Sequence, residues 1–389
     1  MEHLSSMDAS FLHFETPETP MHVGSLMLLD LPAGHTGDFY DEVKAMLAKR
    51  LHLSSILTRK LATMPFELAE PVWIEDDDID LDFHVRSVTL RRPGTMAQLH
   101  QLVARLHSTL LDRSRPLWEM VVIEGLESGQ VAFYSKAHHS GVDGKAGVEL
   151  AKVLFDVSPQ IRDVPPPRRK RGGDYQLGVA ELLQASVTNA ARQYLKVVGL
   201  LPTAVRAVGA AGKVLLKQRA PEGGRSLNIG LAPKSLFNDS ITNQRSYSTL
   251  SVPLADMKAL GQRVGGTVNT IVMAMCGTAL RRFLKEREQL PAKSLIAMVP
   301  VSLRSADDAS MNNQVSGIRV DLATDIADMS ERFKAIHGSS ESAKAVVREL
   351  KPVLGVDIPV TGAPWLLTGL ASLYGRPTWR GACRRSATS

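Results

Sequence analysis

The chain has 389 residues, longer than most single cores support, so two domains of somewhat under ~200 residues each are expected. Apolar residues make up 44% of it and aromatics only 5%, a globular composition in which Ala, Val and Leu fill the space between helices and sheets. The net charge of +6 is modest and its basic residues are mostly scattered, which argues against a nucleic-acid groove, and two distant cysteines, Cys276 and Cys383, supply neither a disulfide framework nor a thiolate metal site.

In chain order, residues 1–6 have no basic start followed by an apolar core and a cleavage site, so a cytoplasmic origin is expected. No uncharged apolar run reaches the ~18 residues of a spanning helix, which limits membrane contact to a peripheral one. From 21 to about 156, short β runs at 21–29, 121–123 and 131–139 mix with an amphipathic helix at 96–111, the pattern of an α+β half. Pro165-Pro166-Pro167, the basic run 168–171 and Gly172-Gly173 have the chemistry of a linker. Residues 177–219 are helical in pattern, with Glu181 as their only acid among six basic residues. That bias suits either an anionic membrane or a connecting helix pair with its basic face in water. The second half shows β patterns at 246–252, 294–303 and 314–322, and helical ones at 254–264, 267–286 and 328–350, with Thr267 as an N-cap. Val268, Ile271, Val272, Met275, Ala279, Phe283 and Leu284 form the expected core stripe of the 267–286 helix. The organisation expected is a first domain at 1–160, a linker with crossover helices at 161–230 and a second domain at 231–389.

Residues 131–147, VAFYSKAHHSGVDGKAG, carry the chemistry in a strand, loop and helix. Alternation puts His139 on the face of Ala137 and Ser135, and His138 on that of Lys136 and Tyr134, so the two rings do different jobs. His139 ends the strand beside small neighbours that leave room for a substrate. An unperturbed imidazole titrates at ~6.5 and accepts a proton near neutrality, which suits a general base acting on an alcohol. Asp143, four residues on, is returned beneath the loop by a turn that Gly141 and Gly144 permit, and is expected to fix the loop. A metal site from His138, His139 and Asp143 would need both rings turned to one point, which the alternation opposes. Neither 141–147 nor 209–213 has the glycine spacing of a nucleotide loop.

The segment 138–144, HHSGVDG, resembles the HHxxxDG motif of coenzyme A-dependent acyltransferases, shared with peptide-synthetase condensation domains. Met7-Asp8-x2-Phe11-Leu12, the run 20–24 (PMHVG) and Pro116-Leu117-Trp118 place the similarity in the wax ester synthase/diacylglycerol acyltransferase branch. Ala232-Pro233, Phe237-Asn238, Asn269 and the run 299–304 (VPVSLR) continue it in order, to about residue 350. The resemblance implies an α+β fold of two chloramphenicol-acetyltransferase-like domains with a channel between them. It implies transfer of an acyl group from acyl-CoA, a co-substrate in place of any cofactor, to diacylglycerol or a fatty alcohol, at a peripheral membrane or lipid droplet surface. It also makes His139 the base beside His138, Asp143 a loop anchor held by Arg304, and Asn269 a candidate oxyanion donor.

Asn269 has an equally simple role as a helix-start amide, Trp118 is either a core anchor or an acyl-chain contact, and His22 either lines the channel or is satisfied by backbone. Where relatives carry Asn-Asp, Asn269 is followed by Thr270, and the similarity ends before the family's final strands. A shortened, less stable second domain is therefore expected, with a catalytically impaired homologue that only binds lipid or coenzyme A as the alternative function. A form extended by a homologous C-terminal segment is expected to be the more stable and active one.

Overall fold

Period-two patterns broken by capped helices give the first half its main sheet in the computed structural model, which describes residues 2–62, 71–142, 144–158, 162–166, 209, 232–302 and 315–354. Its elements are β1 (Glu2–His3), α1 (Ser6–Phe14), β2 (His22–Leu29), α2 (Phe39–Arg50), α3 (Ser55–Thr58), β3 (Arg59–Ala62), β4 (Val72–Glu75), α4 (Leu81–His84), β5 (Val85–Thr89), α5 (Met96–Ser108), β6 (Trp118–Glu124), β7 (Val131–His138) and α6 (Gly144–Leu154). The four-stranded sheet runs β2-β7-β6-β5, with only β5 and β6 parallel, and a small sheet runs β1-β4-β3.

The central strand β7 is buried at every position except Ser135, because helices cover both faces. On one face, Leu99 and Val103 of α5 pack on Val121, Ile123, Ala132 and Tyr134. On the other, Leu47 of α2 and Ala146 and Leu154 of α6 pack on Trp118, Met120, Phe133 and Ala137. Each of the Val, Leu, Ile, Met and Phe side chains among them contributes about 1.5–3 kcal/mol by leaving water, so the sheet is a firm support for whatever follows β7. Helix α5 is set by a capping box in which Thr95 accepts from the Gln98 N–H at 3.3 Å and the Gln98 side chain accepts from the Thr95 N–H at 2.7 Å.

The second half contains α7 (Leu254–Val264), α8 (Val268–Lys285), β8 (Ile296–Ser302), β9 (Val315–Asp321) and α9 (Met329–Leu354). Antiparallel β8 and β9 are backed by α8 and α9 through Met273, Leu284, Ile318, Val320 and Ile336. Thr267 caps α8 as expected, accepting from the Thr270 N–H at 3.2 Å.

Two expectations are corrected. Residues 246–252 form no strand; the segment instead lies on α5, where His100 Nε2 meets Thr249 Oγ1 at 3.0 Å and the His100 ring meets Tyr247 edge-on. Its alternating pattern thus serves a helix contact rather than a ladder. The core face of α8 is also rotated from the expected stripe: Ile271 and Leu284 are buried, but Val272, Met275 and Phe283 stay 38–43% exposed. Gly277 explains the rotation, since a Cβ there would stand 2.8 Å from the Leu322 carbonyl, so the helix approaches the sheet along its smallest residue and not its most apolar line. The run 168–173, and 177–219 apart from Gly209, lie outside the described residues. Among the described residues no helix is long and apolar enough to cross a membrane.

Candidate active site

Strand β7 delivers two histidines to one turn and gives them different surroundings. Opposite His22 of β2 in the register, His138 is 1% exposed. Its Nδ1 accepts the Ser140 backbone N–H at 3.0 Å and lies 2.7 Å from the Ser140 hydroxyl. Because Nδ1 is an acceptor, the ring proton sits on Nε2, which lies 3.2 Å from Glu15 Oε1.

Glu15, the C-terminal cap residue of α1, is itself buried in a ring of donors. Arg113 donates to Oε2 at 2.8 Å and to the Leu12 carbonyl, and the Met21 N–H donates to Oε1 at 3.1 Å. Burial works against the carboxylate, yet the donors at His138, Arg113 and Met21 outweigh it and hold the Glu15 pKa down to about 2. The Met21 carbonyl in turn accepts the His139 N–H at 2.8 Å. One carboxylate thereby reaches both histidines, the first through its ring and the second through the backbone of one residue, Met21.

The His139 ring is half-buried and stacks flat on Phe11 of α1, with centroids 4.1 Å apart and planes 8° from parallel. The small neighbours expected around it are therefore joined by an aromatic wall that fixes the ring plane. Two backbone bonds shape the turn below, His138 N–H to Leu117 O at 2.9 Å and Gly141 N–H to His138 O at 3.0 Å. With the ring plane fixed by packing and the backbone by Met21, an imidazole nitrogen can meet a hydroxyl without reordering the site.

On the His138 face a second polar group is buried. Lys136 donates to the Leu106 and Thr109 carbonyls at 3.1 and 2.8 Å and lies 3.4 Å from Glu119, which Arg86 also holds at 2.6 Å. Burial pushes the Lys136 pKa down, opposed by Glu119. This network ties the start of the histidine turn to the end of α5.

Among the expected site residues, His138 and His139 meet at the turn and Gly144 begins α6, while Asp143 and Arg304 lie outside the described residues. Trp118 pairs with Ala137 across β6 and β7, but it is 1% exposed, stacks on His84 and donates its indole N–H to the Leu57 carbonyl at 3.0 Å, the setting of a core anchor. Asn269 stands exposed in the first turn of α8. His22 is held to backbone by one ring nitrogen, Nε2, at 2.5 Å from the His107 carbonyl, and it lines a cavity between β2 and α5. Glu15 and Arg113 were not foreseen, since neither stands at a telling distance from the motif; Phe11 was marked only as part of the N-terminal similarity.

A family model described as the wax ester synthase/diacylglycerol acyltransferase catalytic domain matches residues 4–272. A protein named "Probable diacyglycerol O-acyltransferase tgs2", from Mycobacterium tuberculosis strain H37Rv, is 38% identical over 90% of this chain and 75% of its own length. Among solved structures, the wax ester synthase/diacylglycerol acyltransferase from Marinobacter aquaeolei VT8 superposes with a TM-score of 0.61 at 30% identity, covering 96% of this chain and 78% of that one. The first condensation domain of the calcium-dependent antibiotic synthetase, at 16% identity and a TM-score of 0.52 over 91% and 78% of the two chains, shares the fold.

Proposed function

This chain belongs to the wax ester synthase/diacylglycerol acyltransferase family, and on that premise we propose that it transfers a long-chain acyl group from acyl-CoA to the hydroxyl of diacylglycerol or a fatty alcohol, with His139 as general base. The observation that carries the assignment is the contrast at the turn: His138 spends Nδ1 on Ser140 and directs Nε2 at Glu15, while His139 is half-buried with its plane set by Phe11. A base must reach solvent-borne substrate in a fixed orientation, and of the pair His139 has that setting.

His139 takes the hydroxyl proton as the alcohol oxygen attacks the thioester carbonyl. The carbonyl carbon becomes tetrahedral, the C–S bond breaks as the carbonyl re-forms, and the departing coenzyme A sulfur takes the proton back from the imidazolium. Two substrates meet directly, so no covalent enzyme intermediate and no prosthetic group enters this scheme. The negative charge on the carbonyl oxygen calls for a donor, the role proposed for Asn269. Asp143, paired with Arg304, is proposed to hold the loop that Gly144 ends. The acceptors are lipids, which makes a membrane or lipid droplet surface the proposed place of encounter.

The test is incubation of the purified protein with labelled palmitoyl-CoA and either 1,2-dioctanoylglycerol or hexadecanol, followed by separation of the lipids. Labelled ester is expected from the wild type and a loss of roughly 10²–10⁴-fold from His139→Ala. Thioester hydrolysis without ester, or a His139→Ala variant that keeps most of the activity, would reject the assignment.

A further inference from the structure

Helix α1 brings a contact to each histidine, Phe11 to the His139 ring and Glu15 to His138 Nε2. Phe11 stands in its last turn and Glu15 is its C-terminal cap residue, so the placement of this helix end sets both contacts. A last turn is the least constrained part of a helix, because its carbonyls have no partner within it. Here one of them has a partner from outside. Arg113 Nη2 donates to the Leu12 carbonyl at 2.8 Å and to Glu15 Oε2 at 2.8 Å, and its Nε reaches the same carboxylate oxygen at 3.2 Å. A single nitrogen thus joins the backbone of the helix end to the side chain that caps it, and a cation there also suits the helix dipole. Ala9 and Leu12 pack with Leu111 and Leu117, which keeps the buried side of α1 on the loop that carries Arg113.

Arg113 can hold α1 in place only if its own loop is fixed. The 109–117 loop is bonded to β7 near both ends: the Thr109 carbonyl accepts from Lys136 at 2.8 Å, and the Leu117 carbonyl accepts the His138 N–H at 2.9 Å. Between them, Asp112 accepts the Ser114 N–H at 2.9 Å and the Ser114 hydroxyl at 2.7 Å. The strand that presents the histidines, the loop that presents Arg113 and the helix that presents Phe11 therefore form one closed circuit. Nearly half of the Arg113 side chain is exposed while its partner Glu15 is buried, so replacing the arginine takes little from the apolar core.

We propose that Arg113 is a positioning residue for the acyl transfer: by fixing the C-terminal end of α1, it sets the plane of the His139 ring through Phe11. An arginine that merely capped a helix would add stability and leave the ring where it is. The kinetic arm of the test rests on the acyl-transfer reading, whereas the spectroscopic arm needs no turnover and stands without it.

The test compares the full chain with Arg113→Met, Arg113→Lys and Arg115→Met. Each is read by NMR of the histidine rings without substrate, and by steady-state rates with palmitoyl-CoA and 1,2-dioctanoylglycerol. The His139 signals are assigned from their loss in His139→Ala, and Phe11→Leu marks where they lie once the ring current of the stack is gone. Arg113→Met is expected to move the His139 ring protons toward the Phe11→Leu position. It should also lower kcat by about tenfold with KM within about twofold, because misplacing a base costs rate rather than binding. Arg113→Lys, whose ammonium can stand where Nη2 stands and donate to both oxygens, is expected to restore both readouts. Arg115→Met cuts pairs with Asp80 and Asp112 and is expected to change neither. If Arg113→Met does not fold, Glu15→Gln/Arg113→Met, which leaves no buried carboxylate unpaired, is compared with Glu15→Gln, and the same displacement is expected. If the wild type makes no ester, the acyl-transfer reading fails, and the spectra alone decide whether Arg113 sets the ring. His139 signals unmoved by Arg113→Met, an unchanged kcat, an equal displacement in Arg115→Met, or no rescue by lysine would overturn the inference.

Discussion

At the end of β7 the imidazole of His138 is closed in by Ser140 and Glu15, whereas that of His139, one residue later, rests a single face on Phe11 and remains half-buried. The same side chain thus meets two environments because β7 ends between the two residues, and α1 brings a carboxylate to the first and an aromatic ring to the second. The His138 side holds a buried polar lattice, with Glu15, Arg113 and Ser140 around one group and Lys136, Glu119 and Arg86 around another. His139 is packed on Phe11, and its N–H is bonded to the Met21 carbonyl.

Cutting the lattice should therefore cost stability first. The largest effect is expected at Glu119→Ala, which leaves Lys136 as a buried charge without its counter-ion and should remove about 3–5 kcal/mol, read from urea denaturation. A loss below about 1 kcal/mol would break the contrast on its structural side. Glu15→Ala should cost about 1–3 kcal/mol, because it leaves the Met21 N–H without its acceptor and removes the carboxylate beside His138 Nε2. Glu15→Gln, which keeps an acceptor, should cost less, and the reverse order would show that the cage does not depend on hydrogen bonding.

The pH dependence sharpens the same point. Glu15 titrates at about 2 in the folded chain against an ordinary 4.5, so below 4.5 the unfolded chain binds the extra proton. Its stabilisation is full above about pH 5 and is lost as pH falls toward about 2. The melting temperature of the wild type should therefore drop more steeply between pH 5 and 3 than that of Glu15→Gln, and parallel curves would contradict the assignment. The smallest effect belongs to the other face. Phe11→Leu removes an aromatic stack worth about 0.5–1.5 kcal/mol and should lower kcat/KM by roughly 2–10-fold. An unchanged rate would mean that the ring plane of His139 does not matter.

Much of this was legible in the sequence, for physical reasons. The β7 pattern and the N-cap at Thr267 follow from local periodicity and capping, which a single segment reveals. Glu15 was not legible, because its importance arises from a contact with a residue 123 positions away that no spacing announces. The 246–252 segment has the composition of a strand, but it lies on α5, a tertiary contact that composition does not announce. In α8 the apolar count pointed to Val272 and Met275, while Gly277, which adds nothing to such a count, determined the side of approach. Trp118 sat in a family motif, and its indole N–H bond to Leu57, far away in the chain, is what makes it a core residue.

The most direct test of the division between the two histidines is a paired measurement on His138→Ala and His139→Ala, with ester formation and melting temperature recorded for each at a temperature where both are folded. His139→Ala is expected to lose roughly 10²–10⁴-fold in rate with little change in melting temperature. His138→Ala is expected to melt several degrees lower, having left Glu15 and Ser140 without their partner, and to keep the larger share of its turnover. If His138→Ala is the stable, inactive variant and His139→Ala the unstable, active one, the roles drawn from Glu15 and Phe11 are reversed and the assignment fails.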